Sequence, residues 1–286
     1  MRYLVGSPVG LIRSGNTPLG QRVVTSGGGV SPIAPDAVAS GTLLRWYKSI
    51  KAKMFQNDDL TNAVASSGDP VGSWTDDSGN SAYVRQATAN KKPTYSEIGG
   101  TSMPVTVYDG SNDWLDDGDG TACDFAETDP FTIFALVNFT SIPGSGYIPF
   151  IGKHDGAKGY HLNSSLFSNT HLGILFQGTG YLEVYGNTAM STGSTYAVVV
   201  VNGGASASAV KMWINGTTQT CTVNATGGLS WGSGGITNTQ PVALGQVTYA
   251  VTAFDGKLGE SGIYSGAISD GDAAGLSKYL TNLAGL

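Results

Sequence analysis

Residues 210–223 read VKMWINGTTQTCTV, and this stretch decides the fold class. The apolar residues at positions 210, 212 and 214 alternate with Lys211 and Trp213, which is the period of a β-strand. Asn215-Gly216 follows directly, and this pair is typical of a two-residue hairpin turn because both turn positions take positive φ. The stretch therefore predicts a β-hairpin whose return strand covers residues 217–223.

Short apolar runs between turns recur on both sides of this hairpin. Residues 131–137 read FTIFALV and are largely apolar on both faces of a strand, which predicts a buried strand. Residues 196–201 contain four consecutive valines and predict another. Residues 173–177 and 181–185 flank a Gly-Thr-Gly turn and predict a second hairpin. Further strands are expected at 43–50, which also fits an amphipathic helix, at 241–245 and at 259–264.

A single helix is predicted at the end of the chain, near residues 269–283. Ser269 can cap it, with Asp272 three residues on in an approximate capping box. An apolar stripe follows, formed by Ala273, Leu276, Leu280 and Leu283. Many strands, frequent turns and one late helix predict an all-β protein, an antiparallel β-sandwich of the jelly-roll type with a short C-terminal helix.

The first 40 residues differ from the rest. Residues 1–40 are rich in Pro, Gly and Ser, and their apolar residues show no sustained period. Such a segment buries too little surface to offset its ordering entropy alone. We expect an extended N-terminal attachment arm at 1–40 and the sandwich at 41–286. The basic residues Arg2, Arg13 and Arg22 are the expected attachment contacts of the arm to an acidic partner.

Charge and hydropathy exclude several classes of protein. Residues 1–53 carry seven basic residues and one acid, a net charge of +6, whereas the remainder carries eight basic and twenty acidic residues, a net charge of −12. An acidic body argues against nucleic-acid binding, which needs a basic footprint. No apolar run approaches the ~18 residues that a membrane span requires, and no signal-peptide core is visible near Met1.

Several motifs together resemble a known family. They occur in the order LRWY (44–47), VGSWTDDSGN (71–80), KPTY (92–95), VYDGSNDWL (107–115), WING (213–216) and FDGKLGESGIYSGAIS (254–269). This series resembles the concanavalin-A-like, laminin-G-type jelly rolls over residues 43–286. The resemblance implies the sandwich fold and a tendency to bind glycans or proteins. It does not imply a particular ligand, because such folds host many functions.

The sequence gives little support for catalysis. Retaining glucanases of this fold carry paired carboxylates in an E-x-D-x-x-E strand pattern, which places both acids on one face. The chain has four glutamates, and Glu127-Thr128-Asp129 begins the pattern, but Thr132 occupies its last position. The histidines lack H-E-x-x-H spacing; they are His154, His161 and His171. We therefore expect a protein that is not an enzyme, without catalytic residues or a bound metal.

An acidic loop leaves one alternative for a cofactor. Its acids are Asp113, Asp116, Asp117 and Asp119, with glycines at 118 and 120. The spacing does not match an EF-hand, in which acids stand at positions 1, 3 and 5 before a Gly at 6. We expect the loop to be a solvated acidic turn, and a calcium ion bound in the loop is the alternative.

Sugar binding needs an aromatic platform beside groups that bind hydroxyls. Trp114 offers this combination with Asn112 and Asp113, and two other sets of aromatic residues stand in glycine-flanked segments. The candidate ligand-binding residues are Asn112, Asp113, Trp114, Tyr181, Tyr185 and Trp231. Each aromatic could equally be a core residue, because large aromatics are mostly buried. Trp231 stands in a Gly/Ser loop and is expected to be the most exposed.

The arm, the missing signal peptide and the glycan-binding type of fold predict a non-catalytic structural or adhesion protein. We expect it on a virion surface, as a capsid decoration or a tail-fibre component of a bacteriophage, attached to a large assembly through the arm and present as a homo-oligomer. The alternative is a secreted or cell-surface carbohydrate-binding lectin domain with an extracellular location. A glycan hydrolase is a further alternative. The two cysteines, Cys123 and Cys221, are expected to be free thiols.

Overall fold

The computed structural model describes residues 30–98, 101–118, 121–142, 146–164, 168, 170–227, 229–232, 235–246 and 253–286. The strands are β1 Thr42–Tyr47, β2 Met54–Phe55, β3 Ser73–Thr75, β4 Tyr83–Arg85, β5 Thr94–Ile98, β6 Met103–Asp109, β7 Leu115–Asp116, β8 Phe131–Phe139, β9 Pro149–His154, β10 Gly159–Ser164, β11 His171–Gln177, β12 Tyr181–Ala189, β13 Thr195–Asn202, β14 Lys211–Ile214, β15 Thr217–Thr218, β16 Cys221–Thr226, β17 Ala243–Leu244 and β18 Asp255–Ser265. The helix α1 spans Asp270–Ala284, and short 3-10 helices span Pro35–Ala37, Lys51–Lys53, Ala89–Lys91 and Ala207–Ala209.

The strands form two antiparallel sheets, which confirms the expected all-β sandwich. Sheet A has the order β15-β14-β13-β8-β18-β6-β5, and β1 pairs with the second half of the long strand β18. Sheet B has the order β16-β12-β11-β10-β9-β17-β7-β4-β3-β2. The predicted hairpin of residues 173–177 and 181–185 is confirmed as the β11–β12 pair.

The main core lies between the two sheets, and strand β8 contributes side chains both to this core and to a second one. Ile133 and Val137 point into the core shared with sheet B. Phe134 and Leu136, on the opposite face, belong to a second core outside sheet A. Burial on both faces explains a strand with no polar alternation.

The helix covers the outer face of sheet A. Its predicted cap is confirmed, since the Ser269 hydroxyl accepts a hydrogen bond from the backbone N–H of Asp272 at 3.1 Å. The stripe residues Leu276 and Leu280 are fully buried in the second core, together with Val199 of β13. This helix, in the described part of the chain, is too short and too polar to cross a membrane. The layers are therefore helix, sheet A and sheet B, with α1 packed on sheet A.

The end of the predicted arm packs against the sandwich. The N–H of Ile33 donates to the carbonyl of Gly275 in α1 at 2.9 Å, and the Tyr264 hydroxyl donates to the Pro35 carbonyl at 2.8 Å. Val38 is buried in the second core. Segment 30–40 is thus part of the folded domain in this structure. The remainder of the expected arm, with Arg2, Arg13 and Arg22, lies outside the described residues.

The hairpin at 210–223 differs from the prediction in its second strand. The turn forms at Asn215 and Gly216 with φ of 49° and 78°. The return strand β15 then ends at Thr218, and the chain crosses to sheet B, where β16 pairs with β12. Gln219 directs this crossing, because its side-chain carbonyl accepts from the N–H of Thr188 in β12 at 3.1 Å. One continuous return strand was therefore the wrong expectation.

The two cysteines occupy different parts of the fold. Cys123 is buried in the main core, where its carbonyl accepts a hydrogen bond from the Tyr160 hydroxyl at 2.6 Å. Cys221 is half-buried in the edge strand β16. Neither forms a disulfide in the structure.

Candidate functional site

The outer face of sheet B is organised by one row of directly opposed residues that crosses all ten strands. From β16 to β2 the row is Asn224, Glu183, Leu175, His161, Gly152, Ala243, Asp116, Arg85, Ser73 and Phe55. Directly opposed residues share a face of a sheet, and their chain neighbours point to the other face. The neighbours Leu162, Ile174 and Val184 lie in the main core, which fixes the row on the outer face.

Polar side chains are buried in this face at the β10–β12 end of the row. His161, Asn163 and Glu183 each have 0% exposure. The Asn163 amide donates to the Glu183 carboxylate at 2.9 Å. A buried carboxyl group is costly unless it takes part in hydrogen bonds, so this bond helps to hold Glu183 within the face.

His154 is held in one tautomer beside these residues. The N–H of Gly156 donates to its Nδ1 at 2.9 Å, so the neutral ring carries its proton on Nε2, which lies 2.7 Å from the Gln177 side-chain carbonyl. Burial lowers the pKa of His154 below its ordinary value of 6.5. This imidazole is therefore a neutral, oriented group at pH 7.

The imidazole ring of His161 is buried, and its nitrogens form no hydrogen bond with any described residue. Its two ring nitrogens and the side-chain carbonyl oxygen of Asn163 have no partner among the described residues. Its ring stacks on Tyr147 at 5.0 Å and meets the edge of His154 at 5.3 Å. Burial, and then the nearby His154, hold the pKa of His161 well below its ordinary value. Each buried polar group left without a partner costs about 1–3 kcal/mol.

Three half-buried tyrosines surround the polar residues. Tyr147 covers His161, and burial together with the nearby Tyr181 raises the pKa of Tyr147. Tyr185 lies 5.8 Å from His171 and accepts a hydrogen bond at its hydroxyl from the Asn224 amide at 3.3 Å. We name the following set the histidine–tyrosine cluster: Tyr147, His154, His161, Asn163, His171, Tyr181, Glu183 and Tyr185.

Gly173 has no side chain, and this leaves space for the neighbouring Glu183 carboxylate. A Cβ at Gly173 would lie 3.1 Å from the Cβ of Tyr185 and 3.2 Å from a carboxylate oxygen of Glu183. Both distances are tight for a methyl group. Gly173 therefore permits the carboxylate and the Tyr185 ring to stand side by side on the face.

The cluster offers binding groups in the combination that carbohydrates use. Aromatic faces stack on the apolar faces of sugar rings, and amide, imidazole and carboxylate groups bind hydroxyls. Glu183 is the one carboxylate in the cluster. The next carboxylate along the described row is Asp116, five strands away, which corresponds to about 24 Å at a strand spacing of about 4.8 Å. Retaining hydrolysis uses two carboxyl groups only about 5 Å apart, and this row does not supply such a pair.

The predicted residue Trp114 lies at the other end of the same face. Its chain neighbour Leu115 points into the core, so alternation directs Trp114 and Asp116 outward. Trp114 is half-buried and lines a cleft of about 350 Å³. We name this the Trp114 cleft; its lining residues are Lys91, Trp114, Asp116, Gln240, Pro241 and Gln246.

Asn112 and Asp113, the predicted partners of Trp114, form hydrogen bonds with Asp109 in their own loop. Asp113 is buried, and its carboxylate accepts from the N–H of Asp109 at 3.1 Å. Burial, followed by the charge of Asp109, raises the pKa of Asp113 to about 6. The N–H of Asn112 donates to the Asp109 carboxylate. Neither residue lines the Trp114 cleft.

The acidic loop does not gather its carboxylates around one point in the described residues. Asp117 forms a buried ion pair with Arg45 at 2.9 Å and accepts from the N–H of Val242 at 3.1 Å. Asp116 accepts from the N–H of Gly118. Asp119 lies outside the described residues. Among those described, no group of three or more His, Cys, Asp or Glu side chains is placed to hold a metal ion.

Trp231 is not the exposed platform that its glycine-rich loop suggested. Its ring meets the edge of Phe176 at 5.4 Å, and its indole N–H donates to the Gly204 carbonyl at 3.1 Å. Phe176 belongs to the main core, so Trp231 packs against the sandwich interior and away from the outer face of sheet B.

The sequence analysis names Tyr181 and Tyr185 as candidates but does not name the buried polar residues that lie beside them. The signal was present in β10, where Tyr160 and Leu162 enter the core while His161 and Asn163 alternate with them. Such alternation is typical of a strand with one face exposed to solvent. The strand pairing that sets these residues against Glu183 is not encoded in any local pattern.

Comparison with known proteins identifies the fold. A family model described as the concanavalin A-like lectin/glucanases superfamily matches residues 109–274, more than half of the chain. A search of curated protein sequences gave no match. Among solved structures, domain 4 of AbnA, a GH43 extracellular arabinanase from Geobacillus stearothermophilus in complex with arabinotriose, superimposes with a TM-score of 0.55 at 17% identity, covering 86% of this chain and 100% of that one.

Two toxin binding domains are also similar in structure. The binding domain of Paraclostridial Mosquitocidal Protein 1 gives a TM-score of 0.52 at 12% identity and 76% coverage of this chain. The binding domain of botulinum neurotoxin serotype D gives 0.51 at 11% identity and 85% coverage. The match spans 50% of each toxin domain. At these identities the likeness concerns the fold alone.

Proposed function

The chain belongs to the concanavalin A-like lectin/glucanase superfamily, and on that premise we propose that it is a non-catalytic module that binds an uncharged carbohydrate at the histidine–tyrosine cluster. The observation that carries the proposal is the set of buried atoms without partners, the two ring nitrogens of His161 and the carbonyl oxygen of Asn163. Half-buried tyrosines stand beside them. Sugar hydroxyls, which both donate and accept, would satisfy such groups once the Tyr147 ring that stacks on His161 moves aside.

The charges of the cluster favour a neutral ligand. It contains the Glu183 carboxylate, and it contains no Lys or Arg. The low pKa values of His154 and His161 keep both rings uncharged at pH 7. An acidic sugar would bring a second negative charge close to the Glu183 carboxylate, and the repulsion between like charges costs binding free energy.

The absence of catalysis is part of the proposal. Glycosidases share this fold, so the fold does not decide the matter. The argument is the single carboxylate of the cluster, because both retaining and inverting hydrolases use a pair. The test is incubation with neutral polysaccharides followed by measurement of new reducing ends. No release above that of a Glu183→Gln control is expected, and release that the control abolishes would overturn this part.

From the sequence we further propose where the module is located and what it is attached to. The basic, proline-rich N-terminal segment would attach it to a large assembly, a virion surface being the first choice, with several copies displayed together. An extracellular lectin domain without attachment is the alternative. Copurification of the full chain with virions, compared with a chain lacking residues 1–29, separates the two.

Binding is tested on an array of neutral polysaccharides that includes arabinan and arabinotriose, the trisaccharide in the complex of the AbnA domain. The Glu183→Gln and Tyr185→Ala variants should weaken binding at least about tenfold, since each removes a charge-assisted or stacking contact of about 1.5 kcal/mol or more. The control is Lys211→Gln, which breaks an exposed ion pair with Asp270 on the helix side. Binding that survives both cluster variants unchanged would contradict the site.

A further inference from the structure

Strand β16 forms an open edge of sheet B. It pairs with β12 over all six of its residues, Cys221–Thr226, without a register shift. Its other side makes no backbone hydrogen bond with any segment that the structure describes. An edge strand of this kind presents a row of backbone N–H and C=O groups to a further strand.

The other edges of the two sheets are short or covered. Strand β2, at the far end of sheet B, and strand β15, at one end of sheet A, have two residues each. Along β5, Tyr95 exchanges backbone hydrogen bonds with Gly68 and Asp69. Along β1, the N–H of Asp77 donates to the Trp46 carbonyl. In the described part of the chain, β16 is therefore the one long edge that is left open.

The sequence of β16 lacks the features with which natural proteins block such edges. Cys221–Thr226 reads CTVNAT, with no charged residue and no proline, and its threonines and valine favour extended structure. Val223 is 41% exposed, and it faces the inside of the sandwich because it lies opposite Val184 of the main core. An exposed valine on an unprotected edge indicates a contact surface.

A small cleft beside this edge offers a place for a side chain. It measures about 260 Å³, and its apolar lining includes Ala207, Val210, Cys221 and Val223. Side chains alternate along a strand, so every second residue of a strand added to β16 would point toward this cleft. Strand addition combines these two parts, since backbone hydrogen bonds give affinity and pockets for alternate side chains give specificity. The edge therefore fits an extended segment that carries aliphatic side chains.

We propose that β16 of one copy binds residues 21–25 of a second copy as an added strand. These residues read QRVVT, and they contain the longest run of β-branched side chains in residues 1–29. Val23 faces the cleft, because the opposite orientation would turn Arg22 toward Lys211 in the cleft lining. The inference goes beyond the proposed carbohydrate binding and does not depend on it.

Charge favours this segment over a second β16 strand as the occupant. Residues 1–29 contain three arginines and no acidic residue, whereas residues 54–286 carry a net charge of −12. Two β16 edges paired directly would bring two acidic bodies together, and their like charges repel each other. A basic segment placed between the bodies reduces that repulsion.

The length of the connection favours a second copy over the same copy. Ser31 lies in the helix layer, where its carbonyl is next to Gly275 of α1. Sheet B is two layers away, a direct distance of about 20 Å at about 10 Å per layer. The chain from Thr25 to Ser31 spans at most about 20 Å when fully extended. A path around the edge of sheet A is longer than the direct line, so the segment reaches the β16 edge of a neighbour.

The test measures the association of the full chain by sedimentation velocity over a wide range of protein concentration. Val23→Gly removes the side chain that fills the cleft, and Val223→Lys places a positive charge beside the basic segment. Each should weaken association at least about tenfold, since one buried valine contributes about 1.5 kcal/mol or more. The controls are Val223→Thr, which keeps the β-branched shape, and Val9→Gly, which changes the N-terminal segment outside residues 21–25. Both controls should associate like the wild-type protein, and thermal midpoints report correct folding.

Hydrogen exchange of the β16 amides provides a second measurement. The amides that point away from β12 should exchange more slowly in the associated wild-type protein than in Val23→Gly. Association that Val223→Lys abolishes and Val23→Gly leaves unchanged would assign the edge to another partner strand and contradict the proposal. A monomer in which the wild-type sequence protects these amides would show that the segment pairs with its own copy. A monomer with unprotected amides would show that β16 binds no strand of this chain.

Discussion

Asn163 donates its side-chain amide to the Glu183 carboxylate across 2.9 Å, and both side chains are fully buried on the face of the sandwich that the helix does not cover. The two residues are 20 positions apart in sequence, and adjacent strands bring them together through β11. The half-buried Tyr181 and Tyr185 lie on the same face as Glu183 because they alternate with it along β12. Under the proposed function, the Asn163–Glu183 pair belongs to the carbohydrate site.

Removal of the amide should destabilise the fold. Asn163→Ala leaves the buried Glu183 carboxylate without this donor, and we expect a loss of about 1–3 kcal/mol in the free energy of unfolding. The matched control is Asn138→Ala, whose amide donates to the exposed carbonyl of Gly193 and to the hydroxyl of Thr195. Neither acceptor is a buried carboxylate and water can replace both bonds, so the control should lose about 1 kcal/mol or less. Denaturant unfolding measures both, and equal losses would contradict the burial of the pair.

Stability should fall in mild acid because of His161. The unfolded chain protonates this residue near its ordinary pKa of 6.5, whereas burial holds the folded pKa well below that value. Below pH 6.5 the unfolded state therefore binds more protons, and folding loses up to about 1.4 kcal/mol per pH unit until the folded pKa is reached. His161→Phe removes this contribution and keeps the ring stacked on Tyr147.

The measurement is the free energy of unfolding at intervals between pH 7.5 and pH 5. The wild-type protein should lose stability more steeply than His161→Phe over this range. His154 remains in both proteins, so its own contribution affects both curves. Parallel curves would show that His161 is not buried as a neutral ring.

Two truncations should behave differently. Deletion of residues 1–29 should leave the thermal midpoint nearly unchanged, because the segment has too little apolar sequence to fix its backbone. Deletion of residues 1–40 also removes Val38 from the second core and the carbonyl of Pro35 from the Tyr264 hydroxyl. We expect that loss to cost about 2–3 kcal/mol, the value of one buried aliphatic side chain with a hydrogen bond. Equal midpoints for both truncations would show that segment 30–40 is dispensable.

Local patterns predicted the elements of this fold better than its connections. The capped helix at Ser269 and the turn at Asn215-Gly216 follow from side-chain and backbone preferences that act within a few residues. The crossing at Gln219 does not, because it depends on a hydrogen bond to Thr188 in another sheet. Strand pairing between distant segments is set by the packing of the whole domain.

The same distinction explains the site. Tyr181 and Tyr185 are candidates from the sequence because aromatic residues in a short hairpin are visible there. Trp231 was misjudged because a glycine-rich loop does not reveal that its ring packs on Phe176. His161 and Glu183 face each other across β11 only through the register of three strands, which no spacing in the chain specifies.

Nuclear magnetic resonance of the histidine side chains tests the central claim most directly. The chain contains three histidines, and His154, His161 and His171 all belong to the cluster. Titration with arabino-oligosaccharides or another neutral glycan that binds on the array should shift the ring signals of His161 at saturation, while the indole signal of Trp213, on the outer face of sheet A, stays fixed. Saturable glycan binding that leaves all three imidazole rings unchanged would contradict the site.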